Sequence, residues 1–242
     1  MTELMRSSSD AAVAKSQASQ VPPNAPSANI LVQCDFDGTV TLEDASFIML
    51  DAFAAGEWRK INAEYEAGRI TVGRFNSEAF SLVKANRQDL LKSIAGKVHI
   101  RPGFEDFAAY CRGNGLRLVI VSNGLDFYVE EILKGIGLPD IEFHASRAEF
   151  RDTGMNVTYV GPDGSALDDS FKEAYVKRFH DLGYRVVYVG NGSSDFKPAR
   201  ESDYVFATGT LLKVCRKASL GCSPFDDFRD VVRELDATLR LT

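Results

Sequence analysis

The sequence predicts an α/β fold, a parallel sheet covered by helices on both faces and carrying a small helical insert after its first strand. Three observations lead there. Short apolar runs at Ile30-Leu31-Val32, Leu116 to Val121 and Val186 to Val189 each stop in a polar, glycine-containing loop. Helical patterns separate them, with Leu125, Val129, Ile132 and Ile136 on one face, and Phe171, Ala174, Phe179 and Leu182 on another. Strands that alternate with helices make a parallel, Rossmann-like sheet. From Leu42 to about Val98 the apolar residues keep helical spacing instead, with no convincing strand. At 242 residues, 45% hydrophobic and 26% charged, the chain suits one globular core with an accessory.

Taken in order, residues 1–29 hold runs such as Ser7-Ser8-Ser9 and Pro22-Pro23 and read as a disordered tail. No apolar stretch there is long enough for a signal peptide or a membrane helix, and Glu3 and Asp10 beside Arg6 and Lys15 disfavour a transit peptide. The core is expected at 30–41 and 99–242. The insert, 42–98, places Phe47, Leu50, Phe53, Trp58, Ile61, Phe75, Phe80 and Leu91 at helical spacings. It serves either as extra core or as a cap over the strand ends, and its position directly after an acidic loop favours the cap. In open parallel sheets ligands bind beyond the carboxyl ends of the strands, which gathers Asp35, Asp37, Ser122 and Asn191 at one edge.

A net charge of -6 argues against a nucleic-acid surface while allowing a local basic site for one small anion. Cys34, Cys111, Cys215 and Cys222 form no CxxC pair, and the three histidines, His99, His144 and His180, suggest no zinc site. His144 and His180 read as ordinary surface or core residues. Reduced thiols in a cytoplasmic protein, with no membrane partner and a monomeric or homodimeric state, are the expectation.

The chemistry concentrates in Asp35-Phe36-Asp37-Gly38-Thr39. Two carboxylates two residues apart at a strand end face one small site, because the residue between them points the other way. One can attack phosphorus while the second protonates the leaving oxygen and then activates water. Their mutual repulsion calls for a cation, and magnesium takes a few carboxylate oxygens plus waters and phosphate.

DFDGT after an apolar strand resembles the nucleophile motif of haloacid dehalogenase superfamily phosphatases, and partner motifs follow in order. Ser122, after Val119-Ile120-Val121, matches the second motif, whose hydroxyl binds phosphate; Asn123 beside it is counted with the phosphate-binding residues. Lys172, 19 residues before Asn191, matches the motif-three lysine, and Gly190-Asn191-Gly192-Ser193-Ser194-Asp195 matches the metal-binding fourth motif, usually written with aspartate at both the Asn191 and Asp195 positions. The resemblance spans about Ile30 to Leu235 and is similar in detail to the 2-hydroxy-3-keto-5-methylthiopentenyl-1-phosphate phosphatases of methionine salvage. Its supporting segments are Ser122 to Phe127, Phe206-Ala207 through Leu211-Leu212 to Cys215-Arg216, and Pro224 to Phe228, the C-terminal ones expected as a last helix against the sheet.

The resemblance implies a haloacid dehalogenase core with a helical cap. It also implies a magnesium ion on Asp35, Asp37, Asn191 and Asp195, and a small phosphorylated metabolite as substrate. The same cap in phosphoserine phosphatases carries an acid that contacts the substrate amine, at the position of Asp44; taken alone, Asp44 reads equally as the N-terminal acid of a helix. Ser77 stands where those enzymes carry an arginine, which disfavours phosphoserine. Ser122 could also cap the helix starting near Leu125. A phosphomutase shares these motifs, and Asn191 in place of an acid motivates a third reading, a non-catalytic phosphate-binding or regulatory module.

Overall fold

The protein is described by a computed structural model for residues 29–240, with side chains to residue 237. The tail expected at 1–29 lies, apart from Asn29, outside the described residues. Strand β1 (Ile30–Cys34) is central to an eight-stranded sheet of order β5-β4-β3-β2-β1-β6-β7-β8. All five of its residues are buried, which explains a continuous run where a half-exposed strand would alternate. β1 pairs in parallel with β2 (Arg117–Leu125) and with β6 (Arg185–Gly190).

Outward from β2 lie β3 (Glu142–Arg151), parallel to it, then β4 (Gly154–Val160) and β5 (Ala166–Leu167), both antiparallel. Outward from β6 lie β7 (Tyr204–Ala207) and β8 (Ser223–Pro224), both parallel. The chain thus steps one way from β1 to β3 and the other way from β6 to β8, so the order reverses between β1 and β6. The crevice of an open sheet opens at that switch point.

Three features differ from expectation. The antiparallel arm β3-β4-β5 was not foreseen, because β3 is mostly half-buried and its sequence, EFHASRAEFR, holds no continuous apolar run. The segment from Phe206 to Arg216 does not form one last helix: Phe206-Ala207 belong to β7, and only then follows a helix, Gly209–Lys217. A short apolar run fits a buried strand or a buried helix equally, so periodicity could not separate them. In the helix Phe171–Asp181 the buried face is Phe171, Lys172, Tyr175, Val176 and Phe179, while Leu182, expected to share it, is 49% exposed.

In chain order the helices are α1 (Ala45–Phe53), α2 (Trp58–Glu66), α3 (Val72–Ser81), α4 (Arg87–Ile94), α5 (Phe104–Gly113), α6 (Asp126–Gly135), α7 (Phe171–Asp181), α8 (Phe196–Glu201), α9 (Gly209–Lys217) and α10 (Phe228–Arg240). The first four make up the insert. Side chains of Asp44, Thr71 and Asn86 cap α1, α3 and α4 by accepting amide hydrogens of Phe47, Arg74 and Asp89. Aromatic contacts join them, Phe47 to Trp58 at 5.1 Å and Tyr65 stacked on Phe75 at 5.5 Å. The insert is tied to the core: Thr71 Oγ1 donates to Asp168 Oδ2, just after β5, at 2.9 Å, and Asn76 Nδ2 to the Asn123 carbonyl of β2 at 2.9 Å. No helix among the described residues is long and apolar enough to cross a membrane.

Arg101, which belongs to no motif, clamps the loop after β1. Its guanidinium donates to the carbonyls of Thr39 at 2.8 Å, Gly38 at 2.6 Å and Asp226 at 2.9 Å, and lies 5.6 Å from the Phe225 ring centre. Removing a charged donor strands three acceptors at once. Arg101→Met is therefore expected to cost about 2–4 kcal/mol in urea denaturation. A loss below roughly 0.5 kcal/mol would show that the clamp is not structural.

Candidate active site

The Asp35 amide donates to the Val189 carbonyl at 2.9 Å and so extends the β1 to β6 pairing to the start of the acidic loop. The next residues turn around the Phe36 carbonyl, which accepts from the amides of Thr39, Val40 and Thr41. The Phe36 side chain is fully buried. Gly38 has φ of 74°, and a Cβ there would stand 2.1 Å from Asn191 Nδ2, so glycine both permits the turn and admits Asn191. Thr39 Oγ1 lies 3.0 Å from Asp35 Oδ2 and 3.0 Å from Asn191 Oδ1, which brings the ends of β1 and β6 together.

Lys172, 2% exposed, lies with Nζ 2.6 Å from Asp35 Oδ1 and 2.6 Å from Asp195 Oδ1. Gln33 on β1 positions the lysine by donating to its main-chain carbonyl at 2.9 Å. Burial alone would lower the lysine pKa, but Asp195 and Asp35 more than offset it and hold the ammonium above its usual value. Asp35 is pushed up to about 6 by burial and by the charge of Asp195, with Lys172 pulling against them.

Asp195, expected in the metal shell, is engaged by protein donors on both oxygens. Its Oδ1 accepts from Lys172 and from the Tyr188 hydroxyl at 2.7 Å, and its Oδ2 from the amides of Asn191 at 2.9 Å and Gly192 at 2.8 Å. An ionised carboxylate offers about four acceptor directions, and protein donors fill them all. Through these contacts Asp195 orders Lys172 and the Asn191 loop.

Asp37 sits in different surroundings. Its Oδ1 accepts from the Ala45 amide at 2.9 Å, and its Oδ2 accepts the hydroxyl hydrogen of Tyr128. Burial first, and then the charge of Asp44, hold its carboxyl well above the ordinary carboxylate range. Asp44 Oδ1 caps α1 through the Phe47 amide at 3.0 Å, and burial pushes its pKa up to about 6.

Ser122 is 1% exposed, and its Oγ accepts from the Gly124 amide at 2.9 Å. It does not cap α6, whose N-cap residue is Leu125. The Asn123 carbonyl collects Asn76 Nδ2 at 2.9 Å and the Tyr159 hydroxyl at 2.8 Å. Its side-chain Oδ1 is buried with no partner among the described residues. Ser77, at the position where phosphoserine phosphatases carry an arginine, is exposed on α3; buried Asn76 beside it donates to the Asn123 carbonyl.

Asp35, Asp37, Asp44, Ser122, Asn123, Lys172 and Asn191 line one cavity of about 260 Å³, whose insert wall includes Phe47, Tyr65 and Phe75. A larger groove of about 640 Å³ runs between Arg117, Glu142 and Arg178, but it holds none of the residues at the ends of β1 and β6, and Arg117 is already paired with Glu142 at 2.7 Å. Among the described residues no group of three or more His, Cys, Asp or Glu side chains is placed to hold a metal. What the small cavity does offer is hard oxygen: Asp35 and Asn191 both line it, and the Asp35 carboxylate and the Asn191 side-chain carbonyl each lie 3.0 Å from Thr39 Oγ1. That set fits magnesium, which keeps several waters and shares itself with substrate phosphate, more than an ion needing an all-protein cage.

A sequence model described as haloacid dehalogenase-like hydrolase matches residues 32–200. A 2-hydroxy-3-keto-5-methylthiopentenyl-1-phosphate phosphatase of Brevibacillus brevis is 30% identical over 217 residues, covering 86% of this chain and 96% of its own. One of the same name from Geobacillus kaustophilus is 30% identical over 210 residues, covering 85% and 95%. A solved structure of phosphoserine phosphatase with a phospho-aspartyl intermediate analogue superposes with a TM-score of 0.65 at 21% identity, covering 85% of this chain and 98% of that one, a likeness of fold.

The raised pKa of Asp44 has a consequence for stability. Because the folded pKa of about 6 stands above the ordinary value of 3.8, ionising Asp44 costs folding energy as pH rises through that window and costs nothing below it. Asp44→Asn keeps a capping acceptor and removes the charge. At pH 7.5 and without metal it is expected to stabilise the protein by about 1–2 kcal/mol in denaturant titration, with the gain vanishing near pH 4. Equal gains at both pH values would place the effect in packing.

Proposed function

The chain belongs to the haloacid dehalogenase-like hydrolases, and on that footing we propose that it is a magnesium-dependent phosphatase acting on a small phosphate monoester through an aspartyl phosphate on Asp35. The observation that carries this reading is the unlike treatment of two carboxyl groups at one cavity: Asp35 faces a buried ammonium, and Asp37 is gripped by neutral donors, with burial and then the charge of Asp44 raising its carboxyl above the ordinary range. Pairs whose environments differ in this way divide into acid and nucleophile. Asp35 attacks phosphorus, Asp37 protonates the departing oxygen, and Asp37 then takes a proton from the water that hydrolyses the aspartyl phosphate.

Lys172 commits two of its three hydrogens to Asp35 and Asp195, and the third serves the phosphoryl oxygens with the Ser122 hydroxyl. A magnesium ion held by Asp35, the Asp37 carbonyl and Asn191 would supply further positive charge against those oxygens. Asp44 and Asn123 line the cavity and are assigned the polar groups of the rest of the substrate. A methylthio-bearing phosphoketone of methionine salvage suits the aromatic wall of Phe47, Tyr65 and Phe75, since thioether sulfur packs favourably on aromatic rings. The relatives' names point the same way.

One observation favours a second reading. Asn191 removes a charge from the metal shell, as a non-catalytic phosphate-binding module would allow. Hydrolysis of p-nitrophenyl phosphate with added magnesium separates the two, and Asp35→Asn is expected to abolish that turnover. Retention of the wild-type rate in Asp35→Asn would overturn the covalent mechanism. Asn191→Asp is expected to tighten magnesium binding about 10-fold in isothermal titration calorimetry, since it restores a carboxylate to the shell. An unchanged affinity would mean that residue 191 stands outside it.

A further inference from the structure

Asp37 has a partner that no motif assigns. Tyr128, fully buried in α6, donates its hydroxyl hydrogen to Asp37 Oδ2 while its oxygen lies 2.9 Å from Ser46 Oγ in α1. The Ala45 amide, also from α1, holds Oδ1 at 2.9 Å. Two helices therefore grip one carboxyl group, one on each oxygen. The strand behind makes room for the contact: a Cβ on Gly124 would come 1.8 Å from the Tyr128 hydroxyl and 2.5 Å from Asp37 Oδ2.

We propose that Tyr128 is a positioning residue for proton transfer at Asp37, an inference that rests on the phosphatase reading above. As the bond from Asp35 to phosphorus forms, the bond from phosphorus to the leaving oxygen breaks, and its electron pair takes the proton of the Asp37 carboxyl. Asp37 is left a carboxylate that accepts from both Tyr128 and Ala45. In the second half a water gives a proton to Asp37 as its oxygen attacks phosphorus, the bond to Asp35 breaks, and the carboxyl is restored.

A donor already aimed at Oδ2 stabilises the charge as it develops, because a hydrogen bond to a carboxylate is stronger than one to its acid. A backbone amide alone would fix one oxygen and leave the group free to turn. A tyrosine serving only to fill the core would also satisfy its hydroxyl, so burial and hydrogen bonding do not by themselves separate the two roles. Leaving-group dependence does. A nitrophenolate departs with little need of a proton, whereas an alkoxide must receive one.

The test compares kcat/KM of the full chain and of Tyr128→Phe, with magnesium, on p-nitrophenyl, phenyl and ethyl phosphates. This ratio covers the steps through departure of the leaving group. The expected result is a loss of about 2-fold on p-nitrophenyl phosphate growing to about 30-fold on ethyl phosphate, within the range of assisted proton transfer. Partial unfolding of the variant lowers every rate by the same factor and leaves the trend with leaving-group pKa untouched. An equal loss on all three esters, or none, would overturn the role of Tyr128 while leaving the phosphatase reading in place. A wild type that hydrolyses none of them would overturn both.

Discussion

An ammonium group shared between two buried carboxylates holds the polar end of this fold together. Asp35 directly follows β1, Asp195 follows β6, and Lys172 enters from the first turn of α7; side chains of all three are at most 6% exposed. Without the lysine, two negative charges would face each other out of water, and an unpaired buried charge is far costlier than a surface one. The geometry is over-determined. Gln33 holds the lysine main chain, Tyr188 and two backbone amides hold Asp195, and Thr39 links Asp35 to Asn191.

From that cluster follows the asymmetry of the acidic loop. Asp35 and Asp37 are near neighbours in the chain, yet one looks toward a fixed cation and the other toward a hydroxyl and an amide. The turn around the Phe36 carbonyl separates them, and it persists because Arg101 ties the loop carbonyls to the C-terminal segment. Electrostatic difference is produced here by backbone direction more than by residue type.

The insert completes the cavity on its open side. α1 brings the Ala45 amide and Ser46 to the Asp37 side, and α3 brings Asn76 to the Asn123 carbonyl. An insert that only filled core would have no reason to place polar groups on the loop it follows. Its contacts with the acidic loop and with β2 make the cavity a property of both parts.

The apolar strands and the order of their polar ends were legible in the sequence, because a strand buried on both faces leaves an unbroken run and the loop after it must be polar where the backbone is unpaired. From these came the parallel sheet, the helical insert and the gathering of Asp35, Asp37, Ser122 and Asn191, while Lys172 was legible only through the family resemblance. The arm β3-β4-β5 was hidden, since half-buried residues there follow no clean period, and so was β7, too short for periodicity to tell strand from helix. Tertiary structure alone decided the contacts of Asp195, Tyr128, Asn76 and Arg101. A carboxylate written in a metal motif becomes an anchor for Lys172 only when the donors around it are counted, and a tyrosine in an apolar helix face meets Asp37 only because Gly124 lets them approach. Spacing along a chain records which groups one element carries, and what those groups touch depends on elements far away in sequence.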